Sequence, residues 1–112
     1  MQKEARLTKR SEFVAIYEGG ASWANSLLVL KALPNELERS RCGFSVNKSV
    51  GKAVIRNRVK RLLREAVRSS AIKLGWDLVF IARPAAASAN YHQLREAIEE
   101  LLRRAHLGET GA

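Results

Sequence analysis

The segment from Ala53 to Ser70 constrains the fold more than any other part of the chain, because it has the pattern of one amphipathic helix. Its apolar side chains recur at intervals of three and four residues, so they form one stripe on a helix of about 3.6 residues per turn. The stripe consists of Ile55, Val59, Leu62, Leu63 and Ala66. A chain of 112 residues supports one hydrophobic core, so this stripe has to pack against a sheet or another helix. We therefore predict a single domain over residues 1–112, with 109–112 as a flexible tail.

Two further helices are predicted towards the ends of the chain. The first runs from about Lys9 to Glu18, with Thr8 as its N-cap and Gly19-Gly20 as its stop signal. The last helix follows Asn90, which forms a capping-box pattern with Gln93. Its predicted buried stripe consists of Leu94, Ala97, Ile98, Leu101, Leu102 and Ala105.

Strand patterns lie between the helices. Apolar or alternating runs predict strands over Leu27–Leu33, Arg41–Val46 and Trp76–Ala82, with a further short strand as an option near Ser22–Asn25. The link over residues 35–40 is short and polar, so we expect the first two of these strands to form an antiparallel hairpin. The succession of helices and strands indicates an α+β fold.

Composition excludes several classes of protein. The longest apolar runs span only a few residues, so no segment is predicted to cross a bilayer, and the N-terminus lacks the apolar stretch of a signal peptide. The lone Cys42 forms no internal disulfide, and Cys42 with His92 and His106 cannot supply four ligands to a structural zinc ion. We expect a cytoplasmic protein in which Cys42 is a small buried apolar residue.

Positive charge is concentrated in one interval. The chain has 20 Lys+Arg against 11 Asp+Glu and a net charge of +9, which predicts a polyanionic partner. No acidic residue lies between Glu38 and Glu65. The bases in this interval are Arg39, Arg41, Lys48, Lys52, Arg56, Arg58, Lys60, Arg61 and Arg64.

Four bases on the central helix are spaced by four residues, so they share one face beside the apolar stripe. They are Arg56, Lys60, Arg64 and Arg68, and Arg61 lies close to the same face. Like charges at this spacing repel one another, whereas solvated helices usually mix the two signs. The pattern therefore favours a polyanion as the source of compensation, with an ordinary solvated face as the alternative.

The loop before this helix carries two further bases. Lys48 and Lys52 flank Gly51 at the predicted N-terminus, where backbone N–H groups attract phosphate. The segment is not a P-loop, because Val46 stands where that motif has its first glycine and Ala53 where it has serine or threonine.

The residues from Lys48 to Glu65 closely resemble the signature of the bacterial ribonuclease P protein subunit. The hallmark of that family is Arg-Asn-Arg inside a longer pattern, and Arg56-Asn57-Arg58 matches it. The flanking residues that also match are Gly51, Ala53, Val54, Lys60, Arg61, Arg64 and Glu65. The resemblance extends over most of the chain and includes Arg6-Leu7, Phe13, Gly43–Val46 and Asp77–Pro84.

The resemblance implies the protein subunit of a ribonucleoprotein enzyme. In this family a large catalytic RNA removes the 5′ leader of precursor tRNA by Mg²⁺-dependent hydrolysis, and the small protein assists it. The implied partners are the catalytic RNA and the leader, with neither DNA nor a membrane as a partner. Mg²⁺ is the implied cofactor of the RNA, and direct binding of Mg²⁺ to this chain stays open.

The resemblance also implies a fold. It is a small four-stranded mixed sheet packed with three helices, in the order α-β-β-β-α-β-α. The helix with the Arg-Asn-Arg triplet would form a left-handed β-α-β crossover, against the usual right-handed rule.

The resemblance assigns RNA-facing residues on the central helix, to which the charge pattern adds Lys48, Lys52 and Arg68. The implied set is Arg56, Asn57, Arg58, Lys60, Arg61 and Arg64. Phe13 and Tyr17 would belong to a cleft that grips the single-stranded leader. Judged from the residues alone, base stacking and core packing are equal alternatives for Phe13, whereas the hydroxyl of Tyr17 favours a surface position.

No constellation of residues supports catalysis by the chain alone. Asp77 is the only aspartate, so a paired-aspartate metal site is absent. His92 and His106 lie on the last helix, far from the basic face, and we expect Glu65 to pair with Arg61 or to cap local charge rather than to coordinate Mg²⁺.

Two other functions are alternatives. An RNA-binding or assembly module of the ribosomal type would have the same basic helix, and the extended Arg-Asn-Arg signature argues against it. A membrane-surface helix requires its apolar stripe to be exposed, whereas so small a protein needs that stripe to cover its sheet.

Overall fold

The chain forms a four-stranded sheet with helices on both faces. In this computed structural model residues 6–7 and 9–108 are described, so the predicted N-cap Thr8 and the predicted tail 109–112 lie outside the described residues. Helices α1, α2 and α3 span Arg10–Gly19, Ala53–Arg68 and Tyr91–Arg104, and strands β1, β2, β3 and β4 span Ala21–Ala24, Leu28–Pro34, Arg41–Ser45 and Trp76–Ala82. A short 3₁₀ helix, Pro84–Ser88, precedes α3. The predicted order α-β-β-β-α-β-α is confirmed.

The sheet has the strand order β1-β2-β4-β3, in which only β3 and β4 run parallel. The antiparallel hairpin expected between the strands at Leu27–Leu33 and Arg41–Val46 is therefore wrong, because β4 lies between β2 and β3. β4 takes the central position because its apolar run is buried on both faces. The hairpin that does form joins β1 to β2, where Asn25 Oδ1 accepts hydrogen bonds from the N–H groups of Leu27 and Leu28.

Helix α2 is the crossover between the parallel neighbours β3 and β4. A parallel pair needs such a connection, because a short turn cannot return the chain to the same end of the sheet. The mixed sheet expected from the resemblance is thus confirmed, and the left-handed sense of the crossover stays a prediction.

The main core lies between one face of the sheet and the helices α2 and α3. Leu30 and Phe80 of the sheet are fully buried there, and the ring of Phe80 stacks on that of Phe44 at a centroid distance of 6.2 Å. The predicted stripes of both helices face this core, with Leu62, Ile55 and Ala105 packed at its margin. The buried helix residues are Val59, Leu63, Ala66 and Val67 of α2 and Leu94, Ala97, Ile98, Leu101 and Leu102 of α3.

Within the described residues, the opposite face of the sheet is covered by α1 and by Leu7, which precedes it. Ile16 of α1 is fully buried against Leu7 and Val79, and Phe13 packs at the edge of this small cluster. One ten-residue helix covers only part of a four-stranded sheet. Several sheet residues on this face are only half-buried, and we refer to this part of the face, beside α1, as the cleft.

Candidate nucleic-acid interface

The outer face of α2 presents a row of polar and basic side chains. Asn57, Arg61, Arg64 and Arg68 are exposed, and Arg56 and Lys60 are half-buried at the border of the apolar stripe. The amphipathic pattern explains this placement, because the stripe turns towards the core and carries the bases to the other side. The structure thus brings together the bases that the spacing predicts on one face.

These bases have no acidic partners within the described part of the chain. The exposed Glu65 makes no ion pair there, so the expected pairing with Arg61 is wrong. In addition, the Nε atom of Arg56 is buried without a hydrogen-bond acceptor. The face therefore carries positive charge that its own helix does not neutralise.

Helix α3 packs beside α2 and differs in this respect. It carries three arginines and three glutamates, and at a spacing of four residues its side chains form two ion pairs, Arg95–Glu99 and Arg104–Glu100, and a contact between His92 and Glu96. The closest pair joins Nε2 of His92 to Oε1 of Glu96 at 3.0 Å. The basic character of the chain is therefore a property of α2 and its entrance loop rather than of both helices.

The entrance loop of α2, residues 47–52, is mostly exposed and contains a turn. Oδ1 of Asn47 accepts hydrogen bonds from the backbone N–H and the hydroxyl of Ser49, while Lys48 and Lys52 are exposed. Gly51 adopts a φ of +151°, and a Cβ atom there would lie 3.1 Å from the side chain of Ile55, so glycine is required. Lys52 is the N-cap and supplies no side-chain acceptor to the first turn of the helix.

Arg58 differs from the other bases of α2. Its guanidinium donates hydrogen bonds to the carbonyl oxygens of Ala87 at 3.2 Å and Ala89 at 2.9 Å. The side chain is half-buried between α2 and the segment that leads into α3. Spacing along α2 places Arg58 at the border opposite the row of bases, but it does not identify the two carbonyl groups, which lie about 30 residues away in the chain.

Arg41 is also held inside the chain. Its guanidinium forms two hydrogen bonds to the buried Asp77, at 2.8 and 2.6 Å, and a third to Glu12 of α1 at 2.5 Å. These hydrogen bonds and the charges of Asp77 and Glu12 raise the pKa of Arg41, which stays a cation. Sequence reasoning counted Arg41 among the free bases, and the single aspartate within an apolar strand was the signal that could have identified its partner.

The second candidate surface is the cleft beside α1. The ring of Phe13 lies over Gly43, where an added Cβ atom would come within 2.6 Å of Cζ. Phe13 therefore packs on the sheet with one edge and borders the cleft with the other. Tyr17 lies one turn further along α1 and is 40% exposed, in agreement with the surface position favoured by its hydroxyl.

The floor of the cleft is formed by sheet residues whose grouping is not evident from the sequence. Val29, Lys31, Ile81 and Ser45 are all half-buried on this face of the sheet. The register places Val29, Ile81 and Ser45 in one row across β2, β4 and β3. The alternation of β2 was the available signal, because it alternates buried and half-buried side chains along its length.

Metal ligands do not converge in the described residues. No group of three or more His, Cys, Asp or Glu side chains lies close enough there to hold an ion. Asp77 is bound to Arg41, and Cys42 is 1% exposed, with burial raising the pKa of its thiol to about 12. These residues do not fit a protein-borne Mg²⁺ site. No helix in the described ranges is long and apolar enough to cross a membrane.

Comparison with known proteins identifies the family. Residues 1–106 match the family model Ribonuclease P. The chain belongs to the ribonuclease P protein family. The ribonuclease P protein components of Dehalococcoides mccartyi and Caldanaerobacter subterraneus subsp. tengcongensis are 45% and 44% identical to it over 107 and 110 residues. Both alignments cover 96% of this chain, and they cover 89% and 95% of the two relatives.

Solved structures of ribonuclease P proteins have the same fold. The protein from Staphylococcus aureus superimposes with a TM-score of 0.84 at 36% identity, covering 94% of this chain and 98% of that one. The protein from Thermotoga maritima gives a TM-score of 0.81 at 33% identity, covering 88% and 96%. The chain is therefore a protein subunit of the ribonuclease P endoribonuclease, a ribonucleoprotein of tRNA processing whose partner is the ribonuclease P RNA.

Proposed function

We propose that this ribonuclease P protein binds the catalytic RNA with the outer face of α2 and the 5′ leader of precursor tRNA in the cleft beside α1. The observation that carries the proposal is the row of bases on α2 without acidic partners in the described ranges. RNA phosphates would supply the missing negative charge, and release of their counterions would favour binding. The residues proposed to contact the catalytic RNA are Lys48, Lys52, Arg56, Asn57, Lys60, Arg61, Arg64 and Arg68.

The entrance loop supports a contact with phosphate at the beginning of α2. Its first N–H groups lack a side-chain cap, and the partial positive charge of a helix N-terminus attracts anions. Lys48 and Lys52 add full charges at the same end. Backbone and side chains would thus act on the same anionic group.

The cleft supports binding of a single strand. Single-stranded RNA is bound by stacking on aromatic rings beside a basic track, and the cleft offers Phe13, Tyr17 and Lys31. Ser45 at the end of β3 leads directly into the entrance loop, so the cleft adjoins the basic loop at the beginning of α2. One small chain would therefore hold the leader next to the catalytic RNA.

In this proposal hydrolysis of the phosphodiester takes place on the RNA. Mg²⁺ held by the RNA would supply the activated water and stabilise the leaving oxygen, leaving a 5′-phosphate on the mature tRNA. The chain contributes binding and orientation of both RNAs. The described residues provide no ligand cluster and no nucleophile–base pair for the chemical step.

The test of the assignment is cleavage of a 5′-extended precursor tRNA by the cognate catalytic RNA at low millimolar Mg²⁺, with and without this chain. We expect formation of the correct 5′ end to depend on the protein. Tight RNA binding without stimulation of cleavage would instead support an assembly module.

The leader contact is tested separately with Tyr17→Ala and the matched control Tyr17→Phe, which keeps the ring. Loss of one stacked base costs about 1–3 kcal/mol, so the alanine variant should bind precursor tRNA about 5- to 150-fold more weakly. The holoenzyme's affinity for mature tRNA should stay unchanged. Equal losses for precursor and mature tRNA would contradict a leader contact.

A further inference from the structure

Arg58 is the one base of α2 whose side chain binds another part of the described chain. Its two hydrogen bonds reach Ala87 and Ala89, which flank the end of the 3₁₀ helix at Ser88. None of the other five bases of α2 makes a side-chain hydrogen bond or ion pair within residues 6–7 and 9–108. Arg58 therefore has a different environment from Arg56, although both belong to the same triplet.

The two carbonyl groups need a donor. The 3₁₀ helix ends with the N–H of Ala89 bound to the carbonyl of Ala86 at 3.2 Å, so the carbonyl groups that follow have no partner within that helix. Ala89 is 3% exposed, and a carbonyl group without a partner in such a place is costly. The guanidinium of Arg58 satisfies both groups at once.

The contact lies next to the beginning of α3. Asn90 follows Ala89 directly and is the N-cap of α3, with its capping box to Gln93 formed. Arg58 thus joins α2 to Ala89, the residue before the N-cap of α3. A change in this contact would shift α2 relative to the helix beside it.

We propose that Arg58 is a positioning residue, which orients the basic face of α2 by fixing α2 to the start of α3, rather than a ligand of RNA phosphate. The proposal rests on the proposed α2 interface. The three residues of the Arg-Asn-Arg triplet then have different roles. Arg56 and Asn57 contact the RNA, and Arg58 fixes the position of the helix that carries them. Arginine is needed because two carbonyl oxygens are bound by one planar fork, which the single ammonium group of lysine does not reproduce.

The test compares Arg58→Ala, Arg58→Lys and the exposed control Arg61→Ala in the full chain. Thermal melting of the free protein and the salt dependence of its affinity for the cognate catalytic RNA are measured well below the melting temperature. We expect both Arg58 variants to melt about 5–10 °C lower than the wild type. Both should bind the RNA at least about threefold more weakly, with an unchanged salt slope. Arg61→Ala should keep its melting temperature. In a plot of the logarithm of the binding constant against the logarithm of the salt concentration, its slope should be smaller in magnitude by about 0.7–0.9.

The lysine variant keeps the proposal falsifiable even if Arg58→Ala fails to fold. A phosphate ligand would tolerate lysine, so wild-type affinity and melting temperature for Arg58→Lys would overturn the proposal. A loss of about 0.7–0.9 in slope for Arg58→Ala without a change in melting temperature would also overturn it. If Arg61→Ala and an Arg64→Ala variant leave the slope unchanged, the α2 interface itself fails, and that result is distinct from either outcome at Arg58.

Discussion

Helices α2 and α3 lie side by side on the same face of the sheet and bury similar apolar stripes, but their outer faces differ in charge. α2 carries six bases and one acid, whereas α3 carries three arginines and three glutamates and forms the ion pairs Arg95–Glu99 and Arg104–Glu100 along its own surface. Packing against the sheet demands the apolar stripe and leaves the outer face to other requirements. The difference supports the proposal that the outer face of α2 binds an anionic partner.

The N-termini of the two helices also differ, because a side chain caps one of them and not the other. Asn90 caps α3 with a hydrogen bond from the N–H of Gln93 at 2.8 Å, whereas Lys52 gives α2 no side-chain cap. A cap stabilises a helix by about 0.5–2 kcal/mol, so α2 lacks a stabilising feature that α3 has. This is expected if the beginning of α2 binds phosphate.

The largest expected effect is the loss of folding stability when a base that is paired inside the chain is replaced. Arg41→Gln should destabilise the fold by about 3–5 kcal/mol, because it leaves the buried Asp77 without its main partner. Its salt slope for RNA binding should stay at the wild-type value at temperatures where it is folded. Urea unfolding and RNA titration check the two parts, and a fully stable Arg41→Gln would contradict the role given to this ion pair.

The next effect compares the two helices directly. Removing two exposed charges from α2 in Arg61→Ala/Arg64→Ala should weaken binding to the catalytic RNA about 10- to 100-fold and lower the salt slope by about 1.4–1.8. The matched variant of α3, Arg95→Ala/Arg103→Ala, should change the slope by less than about 0.3. Equal slopes for the two double variants would remove the distinction between the helices.

A smaller effect concerns the helix caps. Lys52→Asn should stabilise the free protein by about 0.5–1 kcal/mol, because asparagine supplies the missing acceptor, and should weaken RNA binding. Asn90→Ala should destabilise the protein by about 1 kcal/mol and leave the salt slope unchanged. Chemical denaturation and RNA titration measure both, and tighter RNA binding by Lys52→Asn would contradict the phosphate contact.

A last effect, which is absent at neutral pH, is a pH dependence from Cys42, whose pKa rises from 9.0 to about 12 on folding. The thiol of Cys42 loses its proton at lower pH in the unfolded chain than in the folded one. The contribution of this thiol to folding stability is therefore complete below about pH 9 and is lost as the pH rises towards about 12. The slope reaches about 1.4 kcal/mol per pH unit. We expect Cys42→Ala to lack this component in unfolding curves between pH 8 and about 11, and identical slopes for the two proteins would disprove it.

The local features of this molecule were predictable from the sequence, and the long-range ones were not. The stripe on α2, the capping box at Asn90 and the burial of Cys42 follow from patterns within a few residues, and the structure confirms them. The insertion of β4 between β2 and β3 depends on pairs such as Arg41 with Asp77 and Leu28 with Ala82, which are far apart in the chain, and the short link after β2 gives no sign of them.

The candidate site shows the same division. Spacing alone predicts the row of bases on α2, because a helix fixes which residues share a face. It gives no sign that Arg58 and Arg41 bind inside the chain, since their partners come from distant segments. The floor of the cleft was missed for a related reason, because its residues meet only through the register of three strands.

The most direct test of the central claim is cleavage of the catalytic RNA by an iron chelate tethered to one cysteine at a time. Glu65→Cys places the chelate on α2 and Glu99→Cys places it on α3, and both replaced residues are exposed acids. The native Cys42 is buried and serves as an unreactive blank. We predict defined cuts in the RNA when the chelate is at position 65. With the chelate at position 99, we predict no more cleavage than with the protein whose only cysteine is Cys42. Cuts from position 99 alone would contradict the assignment of α2 as the RNA-binding face.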